Sequence, residues 1–474
     1  MNATPEQLKQ IFPGRIVSKA IVRDAGLPRL PLFVVEHLVA NYVEGAANIA
    51  KKLVAVREGI ASKLPEADNR ERVKSQLLQD GEIVLVDKLG VEVNLRTGKL
   101  VGNLTFLGEN KVDVLTDIVN ENPRLLTGGM WGSFRVRYVT TSTKKGTERK
   151  LLVVGVMPFQ SNEPDLEEFA HARSKFTLTQ WVDLLLSSVG YEPSLHSAAT
   201  KLTLLLRLLP VLEANVNIIE LGPRQTGKTY LLRNVSPSVY TASGANVSAA
   251  ALFANASTGA LGILSSYKVV VLDEVSHTRF DDVSTISMLK DYMESGQFSR
   301  AGKMYSSDAS MVLTGNLDVE GKVPAAHYRH LFEALPQELQ DTAFLDRIHA
   351  YIPGWEVPKV GAHSISTGSG LIVDYLGQVF GKLRNKSRRN VVRDFTLPST
   401  FTRRDIVAVE KITSALVKLL YPHDHYSKEE LQHVVQTAAD LRKRVNDQLA
   451  VMAPGEFQRK DFTVTTKRKV AVYS

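Results

Sequence analysis

Three patterns of apolar and polar positions succeed one another along the 474 residues. Over residues 32–64 apolar side chains recur at helical spacing with only Gly45 and Gly59 as breakers, and 66–78 is a charged amphipathic stretch. Residues 1–80 are therefore expected to be largely helical. From 81 to 165 the period shortens to two. Runs at 82–86, 91–95, 100–104, 134–139 and 151–156, separated by Gly-, Asn- and Lys-rich turns, predict five short strands and a small β-barrel, although periodicity alone does not distinguish a sandwich. The segment 165–189 begins acidic, turns helical and reads as a linker. An α/β core follows within 166–355. Helices at 371–383, 403–421 and 427–451 then predict a helical lid over 356–452, and 453–474 is left as a tail. Ser427-Lys-Glu-Glu430 is a capping box opening the last helix. The fold class expected is multidomain α/β.

One run carries chemistry. An apolar stretch ending at Leu221 leads into Gly222-Pro223-Arg224-Gln225-Thr226-Gly227-Lys228-Thr229, and a helix-like Tyr230-Leu-Leu-Arg233 follows. Strand, G-x-x-x-x-G-K-T, helix is the context a phosphate-binding P-loop requires. The glycines let backbone N–H groups curl round phosphates, and the helix start adds its positive dipole end. Lys228 reaches the terminal phosphates, and the Thr229 hydroxyl can ligate Mg²⁺. Downstream, Tyr267-Lys-Val-Val-Val-Leu-Asp273-Glu274 reads as a buried parallel strand ending in two acids. Asp273 suits the Mg²⁺ shell and Glu274 suits polarising the attacking water; an ordinary core strand with an acidic turn is the plain alternative. A third strand, Ser310-Met-Val-Leu-Thr-Gly-Asn316, ends where a water-orienting amide belongs. Arg347 is expected as an arginine finger supplied to a neighbouring subunit, and Arg404 as a same-subunit sensor. A guanidinium at the γ-phosphate raises the rate by ~10³–10⁵ in GTPases. Surface ion pairing is the alternative for both. ATP with Mg²⁺ is the only cofactor these residues argue for.

Composition narrows the partners. A formal charge of +8 and a pI near 9.3 favour a polyanion without deciding it. Three basic runs sharpen the point: Lys144 and Lys145 in an expected hairpin tip, residues 382–389 extended by Arg393, and Lys467-Arg468-Lys469. A solvated face accounts for any one of them, but together they point towards nucleic acid. An oligonucleotide-binding (OB-like) fold is accordingly one candidate for the barrel. The absence of Cys excludes disulfides, thiolate zinc sites and a cysteine nucleophile, and fits a reducing, cytoplasmic compartment. The first residues lack a basic region followed by an apolar one, so no signal peptide is expected. The most apolar stretch, 202–219, is interrupted by Arg207, Pro210 and Glu213, which argues against a membrane span. His423-Asp424-His425 has no third ligand in reach by sequence and reads as a loop.

The succession of P-loop, Asp-Glu strand, Asn strand, arginine and arginine-bearing helix resembles the AAA+ ATPases. The resemblance implies a P-loop αβα core and a ring, because in those proteins the nucleotide lies between subunits. Asp291-Tyr-Met-Glu-Ser-Gly-Gln-Phe-Ser-Arg300-Ala-Gly-Lys303 is similar to the pre-sensor hairpin of the minichromosome-maintenance branch. There a basic tip rides a phosphate backbone in the channel, which makes Arg300 and Lys303 DNA-contact candidates. A surface hairpin is the alternative.

Over residues 8–460 the chain resembles the Lon-related AAA+ proteins of bacterial BREX phage-defence systems, the BrxL family. Leu125-Leu-Thr-Gly-Gly-Met-Trp131, Asp346-Arg-Ile-His-Ala-Tyr-Ile-Pro-Gly-Trp355 and Tyr421-Pro-His423 carry the likeness. It implies a hexamer, or a dodecamer of two rings, that encircles double-stranded DNA and excludes phage DNA alongside a methyltransferase and other BREX proteins. Lys228, Thr229, Asp273, Glu274, Asn316 and Arg347 fall on the family's ATPase positions. Longer members carry a C-terminal Lon-like protease domain with a Ser-Lys dyad. The roughly fifty residues after the first lid helices cannot hold one, so no peptidase activity is expected. Two other readings remain open: a protein remodeller, for which Met304-Tyr305 is a weak pore-loop candidate, and an ATP-gated scaffold with little turnover.

Overall fold

The computed structural model describes residues 4–467 apart from 96, 127, 144, 145, 160–162, 245, 258, 281 and 282. It forms two compact units, one of residues 14–162 and one running from 163 onward together with the helix Pro5–Ile11.

In the first unit, strands Glu82–Asn94, Lys99–Leu104, Glu109–Val114, Met130–Thr143 and Gly146–Pro158 close into a barrel. Their order round the barrel is first, second, third, fifth, fourth; the third–fifth pairing is parallel. Helix Thr116–Glu121 lies between the third and fourth strands in the chain. Leu85, Leu104, Val112, Phe134, Val136 and Val153 fill the interior. The expected number of strands is right for partly wrong reasons. Runs 82–86 and 91–95 are one continuous strand, and the polar third strand carried too few apolar positions to be read. The apparent break is Asp87. It is fully buried and accepts the N–H groups of Phe106 and Leu107 at 2.8 Å, so the acid is tied to the following turn instead of ending the strand. A boundary at residue 80 also disappears. Val73 and Leu77 of helix Arg70–Asp80 belong to the barrel's own core, and Arg70 Nε donates to Phe106 O at 2.7 Å. Lys144 and Lys145 lie outside the described residues.

The second unit is built on a five-stranded parallel sheet. Its order is Ala350–Pro353, Asn217–Gly222, Ser310–Asn316, Val269–Asp273, Val239–Ser243. Every residue of Asn217–Gly222 is buried, as a central strand covered on both faces demands. Helices Arg403–Leu420 and Lys428–Met452 pack into the same unit, and Val445 and Leu449 enter the sheet's core. The stretch expected as a linker is instead packed structure. Helices Leu166–Arg173 and Leu178–Ser188 bury Phe169 and Trp181, and Trp181 Nε1 donates to Leu419 O at 2.9 Å. The basic run at 382–389 is likewise occupied internally. Buried Arg384 donates to the carbonyls of Pro210, Glu213, Lys268 and Asp308, Arg389 pairs with Glu213, and Arg388 with Asp424. Those three charges hold the fold and lend no weight to a nucleic-acid partner, whereas Lys386 and Arg393 are exposed. Among the described residues no helix is long and apolar enough to cross a membrane.

Candidate nucleotide site and basic hairpin

Parallel register brings three expected residues to one end of the sheet. Asn316 pairs with Gly222, and Leu272 with Leu313, so the P-loop, Asp273 and Asn316 leave adjacent strands side by side. The carboxyl ends of parallel strands are where such sheets bind ligands. Helix Lys228–Val235 begins directly behind the loop, with Gly227 at φ +73° as its N-cap. Gly227 has a second constraint, since a Cβ there would lie 2.7 Å from Tyr191 Oη. Gly222 is required by packing more than by phosphate. A Cβ on it would lie 2.4 Å from the Gly354 carbonyl carbon.

Within this loop Lys228 Nζ donates to the carbonyls of Gly222 at 3.0 Å and Pro223 at 2.7 Å. Burial lowers its pKa, against the opposing pull of Glu220. Arg224 and Gln225 are exposed on the outer turn, and Gln225 O accepts Val360 N–H at 2.7 Å. Asp273 is fixed through both oxygens. Oδ2 accepts the Thr229 hydroxyl at 2.7 Å; Oδ1 accepts the Thr314 hydroxyl at 2.7 Å and the Glu274 N–H at 3.1 Å. A hydroxyl beside a carboxylate is the hard-oxygen pair that Mg²⁺ takes from protein when phosphates and water supply its other ligands. Thr229 and Asp273 therefore fit the metal. Glu274 follows at φ +51°, in the left-handed region, and its side chain is exposed. That turn sends the second acid away from the strand line that Asp273 ends.

Four supporting residues were not among the expected site residues. Arg207 is buried beneath the P-loop in a bidentate pair with Glu220, at 3.0 and 2.6 Å, and its Nη1 donates to Thr226 O at 3.0 Å and Tyr191 Oη at 3.1 Å. Arg207, Glu220 and Tyr191 thus brace the loop from behind. The fourth, Thr314, positions Asp273. Arg207 was detectable as an arginine inside the most apolar stretch, because a buried charge demands a partner. Thr314 gave no signal beyond being a hydroxyl in an apolar strand.

The two arginines lie elsewhere. Asn217 Nδ2 donates to Arg347 O at 3.1 Å, which places Arg347 beside the first residue of the P-loop strand, whereas the P-loop follows its last. Six residues of strand separate those ends by about 17 Å. Arg347 Nε and Arg404 Nε both approach Glu294 Oε2, at 3.1 and 3.0 Å, and Arg404 Nη1 donates to Asp346 Oδ2 at 2.7 Å. Arg404 is thus not brought to its own chain's P-loop, contrary to the same-subunit expectation. Its helix packs with the Asp346–Arg442 network at the far end of the sheet.

The expected hairpin is present. Strands Gln297–Arg300 and Lys303–Ser306 pair with Arg300 opposite Lys303. Ala301 and Gly302 both have positive φ, +48° and +72°, the two-residue turn whose twist matches paired strands. Phe298 is buried and stacks on Tyr305 at 5.2 Å, which anchors the base, while Lys303 is exposed at the tip.

Residues 10–138 match the family model described as the BREX system Lon protease-like protein BrxL N-terminal domain. Residues 151–463 match the Lon-like protease BrxL-like ATPase domain. A protein named Lon-like protease BrxL from Escherichia coli O9:H4 (strain HS) is 35% identical over 456 residues, covering 95% of this chain and 65% of that protein. One of the same name from Bacillus cereus (strain H3081.97) is 33% identical over 462 residues, covering 96% and 68%. The chain belongs to the BrxL family. It spans about two thirds of the length of these curated relatives. Within the family's ATPase domain fall the P-loop, the Asp273–Thr229–Thr314 cluster and both arginines.

Proposed function

We propose that this BrxL-family chain is the protomer of an AAA+ ring that closes around duplex DNA, binds Mg–ATP between protomers and acts in BREX phage defence. One observation carries the reading: the residues read as parts of a hydrolytic site lie at opposite ends of one strand. The P-loop with Asp273, Glu274 and Asn316 is at one end, and Arg347 with Arg404 at the other. A site with both sets needs a second copy, and a head-to-tail contact of that kind closes into a ring. Both arginines then serve the neighbour's triphosphate. Bound Mg²⁺, held through Thr229 and Asp273, would neutralise phosphate charge. Glu274 would orient water, with Asn316 holding it in line.

The hairpin supports the DNA part. Arg300 and Lys303 suit phosphate contacts in a channel. The barrel's strand order, with its helix between third and fourth strands, supports reading it as OB-like, and helices Arg403–Leu420 and Lys428–Met452 are read as the lid. A hexamer, alone or as two stacked rings, and a cytoplasmic location follow from the family reading. Tyr305, stacked on Phe298, is not offered at the tip, which weighs against a polypeptide-threading loop. Peptide hydrolysis is assigned to no residue of this chain.

Duplex binding at increasing salt tests the reading. Arg300→Ala/Lys303→Ala should lower the slope of log affinity against log salt by about 2 and abolish DNA stimulation of hydrolysis, with ring assembly kept. Normal binding by the double variant would refute the hairpin's role.

A further inference from the structure

Glu294 lies where the arginine pair and the basic hairpin meet. It belongs to the last turn of helix Val283–Ser295, three residues before the hairpin's first strand. The junction is stiff. Gly296 N donates to Tyr292 O at 2.7 Å, Ser307 N donates to Gly296 O at 2.9 Å, and Gln297 N donates to Ser295 Oγ at 3.0 Å. At Gly296, φ +73°, a Cβ would meet Asn215 Nδ2 at 2.9 Å and Ser307 O at 3.0 Å. Movement of the helix end is therefore passed to a four-residue strand, about 10 Å from end to end, whose far end is Arg300. On the other side, one carboxylate oxygen of Glu294 accepts the Arg404 Nε–H at 3.0 Å and pairs by charge with Arg347 Nε at 3.1 Å, while Arg347 Nη1 donates to Ala343 O. Guanidinium groups held by that carboxylate and by the Ala343 carbonyl are not available to a phosphate.

Resting on the shared-site reading above, we infer that Glu294 is a positioning residue that holds Arg347 and Arg404 back from the neighbouring protomer's triphosphate. The same carboxylate links their release to the DNA hairpin. Glu294 is about half exposed, at 46%, so a multiply charged phosphate can displace it. DNA pulling on Arg300 and Lys303 strains the helix end and loosens the pair. The arginines turn to the adjacent protomer, and hydrolysis rises when the channel is filled. The coupling is local: helix end, glycine junction, hairpin.

The test is Glu294→Gln in the full chain, with kcat and KM for ATP measured with and without a short duplex. The latch predicts a DNA-free kcat raised about fivefold, the scale of an exposed ion pair, and a DNA-stimulation ratio reduced to match. KM should stay near wild type, and Glu294→Asp, which keeps the charge, should recover much of the DNA dependence. Unchanged rates in Glu294→Gln overturn the latch, as does a parallel fall of DNA-free and DNA-stimulated rates with loss of melting temperature, which marks a structural role. Arg347→Ala separates the two levels. If it is inactive while Glu294→Gln behaves as wild type, the latch alone is wrong. If Arg347→Ala hydrolyses ATP normally, the shared site and the latch both fall.

Discussion

Replacing Thr314 by Val removes one hydroxyl and keeps the side chain's shape. Thr314 is fully buried, and its Oγ1 is one of three donors that fix Asp273 within 3.1 Å, the others being Thr229 and the Glu274 N–H. A hydrogen bond to a carboxylate contributes about 1.5–3 kcal/mol. The lower figure applies because Asp273 keeps its other two donors and some access to water. About 1.5 kcal/mol corresponds to roughly a tenfold weaker hold on Mg²⁺. In a Mg²⁺ titration of hydrolysis at saturating ATP, the half-saturating concentration should rise by about that factor. Thr314→Ser, which keeps the donor, should titrate close to wild type. Melting should show a loss of about 1.5 kcal/mol and no more, since no cavity forms. An unchanged Mg²⁺ dependence in Thr314→Val refutes the positioning argument. So does an equal defect in Thr314→Ser, which would make the effect one of packing.

Glu274→Gln should bind Mg–ATP and stabilise assembled rings while hydrolysis falls by about two orders of magnitude, checked by sizing and phosphate release; normal turnover would remove Glu274 from the water-activating role. Glu220→Gln should slow hydrolysis and lower the melting temperature together. It leaves Arg207 with an uncompensated buried charge under the P-loop, a loss of about 3–5 kcal/mol, and equal stability would show that the brace is dispensable. His37, packed against Phe159, is held by burial at a pKa of about 4, below the ordinary 6.5. The unfolded chain takes up its proton near 6.5 and the folded chain only near 4, so stability falls as pH drops through that window, by at most about 3 kcal/mol. Melting curves of wild type and His37→Gln from pH 7 to 4 should converge towards the acid end; parallel curves would contradict the assignment.

Much of the candidate nucleotide site was legible because its motifs are local in sequence. The P-loop, the Asp273–Glu274 strand end and the 310–316 strand each announce themselves within eight residues, and the parallel register then aligns their ends. The hairpin was legible for the same reason, from Phe298, a Gly-flanked turn and two basic residues. What escaped was long-range. Arg404 sits 110 positions from Glu294, and no local pattern says which end of a sheet a lid helix will meet. The barrel's third strand escaped because Glu109-Asn-Lys-Val-Asp-Val114 puts only two apolar residues inward. The gap at 87–90 was read as a turn, and Asp87 within it proved to be a strand residue bonding to one. The 382–389 charges misled for a related reason: composition counts a cation without showing the carbonyls it satisfies.

The most direct measurement mixes two dead protomers. Lys228→Ala lacks the lysine proposed to bind phosphate but keeps Arg347 and Arg404; Arg347→Ala lacks the proposed finger but keeps the P-loop. If sites are shared head to tail, random equimolar rings restore intact sites at about a quarter of their boundaries, and hydrolysis should return to that order of wild type. If the mixture stays as inactive as either parent, although sizing shows mixed rings, each protomer works alone and the account is wrong.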